Sequence, residues 1–342
     1  MKSRPLIVLV LFAALLAGCG GGDEAPQAAP SESASPAEPP APPPPPPPPP
    51  VNPLTGVEPA PTNPVVTLKI DNGVLARPFH LGLERATVMY QELAEGGATR
   101  FLAVYADPVD TEVGPIRSVR ESDIELLGQY GKVVFGFSGG QGGVTKAVTD
   151  AKNAGLLLDV SQETRPELFR RAGRRRDAFN FYTVPNRLAA EVPGAVPAKD
   201  IGMRFGPLPP TLGAPVLGGR VVFSKLSTVG VRWDPAANRW KIVQDGVEMP
   251  AVAPANVIVQ QVQVPLSGFS DSVGNRTPYS VTVGQGPVTV LRDGKQIDGT
   301  WTRADRAGGT RFVDAAGADI PLAPGGATWV LLSPVGEGFR PG

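Results

Sequence analysis

The chain has 342 residues, of which 41 are Gly and 40 are Pro, a composition that excludes a coiled coil or a helical bundle. Its 32 basic residues balance 32 acidic ones, so no electrostatic case exists for nucleic acid as a partner. One Cys and one His are too few for a Cys/His zinc site or an intrachain disulfide; a metal would need oxygen ligands, and no metal or cofactor is expected.

Lys2 and Arg4 precede an apolar run, Leu6 to Leu16, and then Leu16-Ala17-Gly18-Cys19. A positive start, a stretch too short to span a bilayer and small residues before the cut describe an export signal over 1–18. Its ending resembles the bacterial lipobox, which makes Cys19 the lipidation point and the cell membrane the anchor of an extracytoplasmic protein. Between Gly20 and Pro64 there are 18 prolines, nine of them consecutive at Pro42–Pro50, with five acids, no base and no aromatic residue. Such chain cannot bury enough apolar surface to offset its ordering entropy, so 19–64 reads as a disordered Pro-rich tether. The remainder, 65–342, carries 30 basic and 27 acidic residues.

Val65-Val66-Thr67-Leu68-Lys69-Ile70 predicts a strand that stops at Asp71-Asn72-Gly73. Thr87–Leu93 and Thr99–Tyr105 around Glu95-Gly96-Gly97 predict an antiparallel hairpin. A helix is expected from Ser118 or Ser122 to about Gln129, a buried strand over Val133–Ser138, and a second helix near Val144–Lys152. Past Gly206 the texture changes to short β runs at 221–223, 229–233, 239–243, 257–262, 280–283, 288–291 and 328–332. Turns such as Asp234-Pro235, Asp245-Gly246 and Asp293-Gly294 separate them. The expected class is α+β: a mixed α/β N-terminal domain over 65–206, then a mainly antiparallel β C-terminal domain over 220–338.

The blocks Lys69-Ile70-Asp71-Asn72, Ala76-Arg77-Pro78, Glu95-Gly96-Gly97 and Gly114-Pro115-Ile116-Arg117-Ser118-Val119-Arg120 resemble the N-terminal domain of YerB-type bacterial lipoproteins. In the far half, Asn256–Gln260, Asp293-Gly294-Lys295 and Gly299–Arg303 resemble the C-terminal domain of the same family. The resemblance implies an N-terminal domain of unknown function, a β-rich C-terminal domain and an envelope location. It supplies no catalytic residue.

The candidate binding residues are Asp71, Asn72, Arg77, Glu92, Glu95, Arg100, Arg117 and Arg120. Arg117 and Arg120 would project from one side of a helix start, and paired guanidinium forks suit a carboxylate or a phosphodiester. An anionic cell-wall polymer or a wall-synthesis protein is therefore the expected partner. A phosphodiesterase or glycosidase using Asp71, Glu92 or Glu95 as acid and base is a second reading, although strand positions three apart face opposite sides. A structural scaffold, with the arginines neutralised by Glu92, Glu95 and Asp71, is the third. The glycines of Gly139-Gly140-Gln141-Gly142-Gly143 lack the Lys-Ser/Thr ending of a nucleotide loop.

Overall fold

The computed structural model describes residues 50–342 apart from 108, 174–179 and 272–273. The expected export signal 1–18, Cys19 and the tether as far as residue 49 lie outside the described residues. Among those described, no helix is long and apolar enough to cross a membrane.

The β-branched run at 65–70 forms β1 (Val66–Asp71). The Gly-Gly turn joins β2 (Val88–Leu93) to β3 (Thr99–Tyr105), which pair antiparallel as expected. Then follow α1 (Glu121–Leu127), β4 (Val133–Phe137), α2 (Gly142–Asn153), β5 (Leu157–Ser161), the short β6 (Arg170–Arg171) and β7 (Phe181–Tyr182), and α3 (Pro185–Glu191). The second half supplies β8 (Ala214–Pro215), β9 (Gly218–Ser224), β10 (Ser227–Asp234), β11 (Arg239–Gln244), β12 (Val247–Glu248) and β13 (Asn256–Val262). It continues through β14 (Leu266–Ser270), β15 (Arg276–Pro278), β16 (Gly284–Arg292), β17 (Lys295–Arg303), β18 (Arg311–Val313), β19 (Thr328–Pro334) and β20 (Arg340–Pro341). Asp245-Gly246 and Asp293-Gly294 each place two successive residues at positive φ, the conformation that closes a two-residue hairpin, and they join β11 to β12 and β16 to β17.

The fold is β-rich with few helices. One 11-stranded sheet runs β18-β17-β16-β13-β19-β2-β3-β1-β4-β5, with β8 on the edge of β17. It crosses between the two halves of the sequence where β19 lies parallel to β2, Thr328 opposite Val88 and Leu331 opposite Gln91. Parallel pairing in the first half is confined to β1–β4 and β4–β5, the latter bridged by α2. Strand alternation divides the core. One face of the large sheet, with Tyr90, Leu102, Val104, Ile258 and Val330, packs under α1 and α2 through Leu126, Leu127, Val144 and Val148. The other, with Leu68, Phe101, Trp329 and Leu331, meets a 5-stranded sheet, order β12-β11-β10-β9-β20, through Val221, Phe223, Val229, Trp240 and Ile242.

Two sequence expectations are corrected. Residues 50–64 fall in the stretch that composition assigns to the disordered tether, yet Leu54 is fully buried in the core and the Asn52 carbonyl accepts the amides of Thr55 and Gly56. One large apolar side chain anchors this turn, and an average over many prolines conceals it. Residues 280–283 are not a strand, because the amides of Thr282 and Val283 donate to the Glu125 carboxylate on α1 at 2.7 and 3.1 Å instead of to a neighbouring strand. The strand beyond the turn at Asp293-Gly294, β17, had no counterpart in the expected elements; nor had β5 or α3.

Candidate functional site

In β1, Val66, Leu68 and Ile70 face the small sheet, which turns Thr67, Lys69 and Asp71 toward α1. The registers of β1 and β2 with β3 set Asp71 and Glu92 on either side of Arg100, on that same face. Polar side chains therefore gather at one end of the face that carries Tyr90, Leu102 and Val104 further along. Asp71, Glu92, Glu95, Arg100, Arg117 and Arg120 come together there, partnered mostly by one another, whereas Asn72 and Arg77 lie toward the small sheet with Thr99, Gln91 and Asp245.

At the centre Lys69, fully buried, is bonded to Glu92 and, at 2.7 Å, to Asp123 of α1. The Ser122 hydroxyl donates to the second oxygen of Glu92 at 2.5 Å. Glu92 thus has both oxygens occupied and no route to solvent, so a glycan cannot reach it as an acid or base. Arg100 and Arg117 share the Asp71 carboxylate, each at 3.1 Å; Asp71 is nearly sealed, whereas the Arg117 side chain keeps 29% of its surface open. Arg120 pairs with Glu95 at 2.5 Å, and Thr277 of β15 donates to the other Glu95 oxygen at 2.9 Å. Arg77 reaches across to Asp245 at 2.5 Å and also donates to the Asn72 carbonyl at 3.2 Å, while the Asn72 amide donates to Thr99 at 2.7 Å. Burial pulls the Arg100 guanidinium below its ordinary value, against the attraction of Asp71.

Lys69, Asp123, Ser122 and Asp245 were not among the expected site residues. A signal existed for Lys69, since it is the single charge inside an apolar strand run. Asp245 gave none, because its turn chemistry explains it fully. Among the described residues, no group of three or more His, Cys, Asp and Glu side chains could hold a metal ion. In the arginine-rich stretch that follows β5, Arg170 pairs with Glu112 and its guanidinium lies 5.1 Å from the centre of the Tyr182 ring, while Arg174, Arg175 and Arg176 lie outside the described residues.

Asp123 is the group in this cluster whose titration the fold moves most clearly. Burial raises its carboxyl from 3.8 to about 7; Lys69 opposes the shift and Glu92 adds to it. The fold therefore prefers the protonated acid. That contribution to stability is complete below the unfolded value near 3.8 and fades as pH rises through about 7. Urea titrations of the wild type and Asp123→Asn across pH 4 to 7.5 should show the wild type losing stability relative to the variant as pH climbs, by at most on the order of 4 kcal/mol. A flat difference curve would contradict the assignment. His80, whose imidazole burial lowers below 6.5, has the opposite slope but cancels in the comparison.

Next to this network lies an apolar cleft of about 540 Å³ between the 74–84 segment and the 244–252 segment, so that both halves of the chain line it. Val74, Pro78, Leu83, Val247, Met249 and Val252 form its walls. Arg77 and His80 belong to both cleft and network: His80 Nε2 donates to the Asp71 carbonyl at 2.7 Å, and its ring tilts against Phe101. Val74, Leu75, Phe79, Leu81 and Val247 are all large apolar side chains left exposed in these two segments. Gln91 of β2 donates to Gln244 of β11 beneath, at 2.8 Å and fully buried, so the two halves are tied together under the cleft.

With this geometry in hand, comparison with known proteins is decisive for the family. The family described as "Protein of unknown function (DUF3048) N-terminal domain" matches residues 54–198, and its C-terminal counterpart matches residues 220–330. This chain belongs to the DUF3048, YerB-type family. A Bacillus subtilis (strain 168) relative named "Putative lipoprotein YerB" is 34% identical over 121 residues, which cover 34% of this chain and 34% of the relative. The aligned stretch thus spans about a third of that protein. The crystal structure of the Bacillus subtilis YerB protein superposes with a TM-score of 0.66 over 83% of this chain and 96% of the other, at 24% identity, and shows the same fold.

Proposed function

We propose that this member of the DUF3048 family is an extracytoplasmic protein, tethered to the cell membrane by lipid on Cys19, that docks an apolar segment of an envelope-assembly protein. The printed name of its relative and the lipobox-like start support the tether. The cleft between 74–84 and 244–252 carries the docking reading. Two large apolar side chains that line it, Val74 and Val247, are exposed, with Leu75, Phe79 and Leu81 exposed on the same flanking segment, a surface that costs solubility unless a partner covers it, and a cavity of about 540 Å³ has the size of an anchor pocket. In this reading the Arg/carboxylate network is the brace beneath the cleft, holding Arg77 and His80 in place, rather than the contact surface.

The test is photo-crosslinking in intact cells from an unnatural side chain at Val247. A discrete adduct is expected, strongly reduced in Val74→Asp, and none from the same group at Leu226, which is equally exposed but outside the cleft. No adduct at Val247, or the same adduct from Leu226, would overturn the proposal. Because Val74 is exposed, the variant keeps the fold, and unchanged far-UV circular dichroism verifies this.

A further inference from the structure

A different surface carries a second and independent inference. The inward side of β9, β10 and β11 is committed to the core through Val221, Val229, Val231 and Ile242. The outward side forms an open trough of about 720 Å³, with Gly230 in its floor and Arg220, Arg232 and Arg340 among its lining residues. Cross-strand neighbours on this side repel. Arg220 of β9 stands directly opposite Arg340 of β20, and Arg232 of β10 directly opposite Lys241 of β11. Like charges facing each other across a ladder destabilise it, and nothing in the packing of the small sheet calls for them. Three of the four cations have an acid within reach: Arg232 with Glu248 at 2.6 Å, Lys241 with Asp234 at 3.2 Å and Arg340 with Glu337 at 2.5 Å. The Arg220 guanidinium, on an exposed residue, has no ion-pair or hydrogen-bond partner among the described residues. Its other neighbour across the ladder is Gly230, which leaves the guanidinium beside a gap where a side chain would otherwise stand.

We propose that the outer face of the small sheet is a binding trough for one length of an extended polyanion bearing phosphate or carboxylate groups. Such a chain, laid over Gly230, brings an anion to Arg220 and relieves its opposition to Arg340. Its next anion reaches Arg232, which can turn from Glu248. A guanidinium fork accepts either anion by two parallel hydrogen bonds, so the trough reads negative charge at intervals along a chain.

The experiment measures binding of inorganic polyphosphate and, separately, of oligogalacturonate to the full-length mature protein in detergent at low ionic strength, together with the Tm shift each produces. Both probes carry the shared chemistry, and the tighter one identifies its source as phosphate or carboxylate. Arg220→Ala is expected to weaken binding at least about tenfold and to abolish the Tm shift. Without a probe the variant should be at least as stable as the wild type, because a repulsion has been removed. Arg85→Ala, an exposed arginine elsewhere, should leave affinity unchanged. Equal losses in both variants would reduce the effect to general charge and overturn the proposal. So would an unchanged affinity in Arg220→Ala, or binding to anionic phospholipid vesicles with neither soluble polymer bound. None of these outcomes bears on the Val247 crosslink, so the two sites fail or succeed separately.

Discussion

Lys69→Met is expected to cost about 3–5 kcal/mol at neutral pH, a fall of roughly 10 °C in Tm, although the substitution is close in volume and adds apolar surface to a strand. Lys69 lies between Glu92 and Asp123, all three closed to solvent, and removing the cation leaves the Glu92 carboxylate beside Asp123, which burial already pushes toward its protonated form, with no positive charge in a dry site. The opposing gain is the desolvation cost of the ammonium, which vanishes with it. An unpaired buried carboxylate outweighs that gain, because only protonation relieves it. The loss should therefore shrink as the pH is lowered and Asp123 takes up its proton. Lys69→Met combined with Glu92→Gln and Asp123→Asn should recover much of the stability, since no uncompensated charge remains. Urea midpoints for the single and triple variants decide the point. A single variant within 1 kcal/mol of wild type would show that the cluster is less closed than the structure describes.

How much of this was legible beforehand depended on the range of the interaction. The hairpin of β2 and β3 and the turns at Asp245-Gly246 and Asp293-Gly294 follow from neighbouring residues, and they appear where the sequence placed them. So do β1, β4 and the two helices that cover one face of the sheet. The residues of the polar cluster were also identifiable, with the exceptions noted, because charged side chains inside β runs are unusual. Their partners were not. Arg77 meets Asp245 across 168 residues, Gln91 meets Gln244 across 153, and Glu95 meets Thr277 across 182. Nothing local distinguishes Arg120 held by Glu95 from Arg120 facing solvent. The run at 280–283 has β composition, but its amides are claimed by Glu125, a helix residue more than 150 positions away. The cleft is likewise a product of two distant segments, each of which alone reads as an apolar loop.

The buried guanidinium of Arg303 shows the same long-range logic, and its loss should have the second large effect. Its partners are oxygens of the main chain and one hydroxyl: the carbonyls of Gly308, Glu125 and Arg306 and the Thr282 Oγ1, at 2.5–3.1 Å. Burial pulls its protonation below the ordinary value, with Tyr90 and Glu125 opposing. Arg303→Met fills similar space but leaves carbonyls that no methyl group can satisfy, at about 1–3 kcal/mol each where water cannot enter. A loss of about 3–5 kcal/mol is expected, smaller than the sum because the 306–308 turn lies near the surface and can rehydrate. Arg303→Lys should retain part, since an ammonium reaches some of these oxygens but lacks the planar fork. The position of the damage is the sharper readout. Arg303 and Glu125 together hold 279–283 against α1, with Tyr279 donating to Glu125 at 2.7 Å. Amide exchange in Arg303→Met should accelerate first at Thr282, Val283 and the turn at 306–308, while β1, β2 and β3 stay protected until global unfolding. Uniform acceleration across all strands would instead mean that Arg303 supports the sheet as a whole, and an unchanged rate at Thr282 would remove it from the joint altogether.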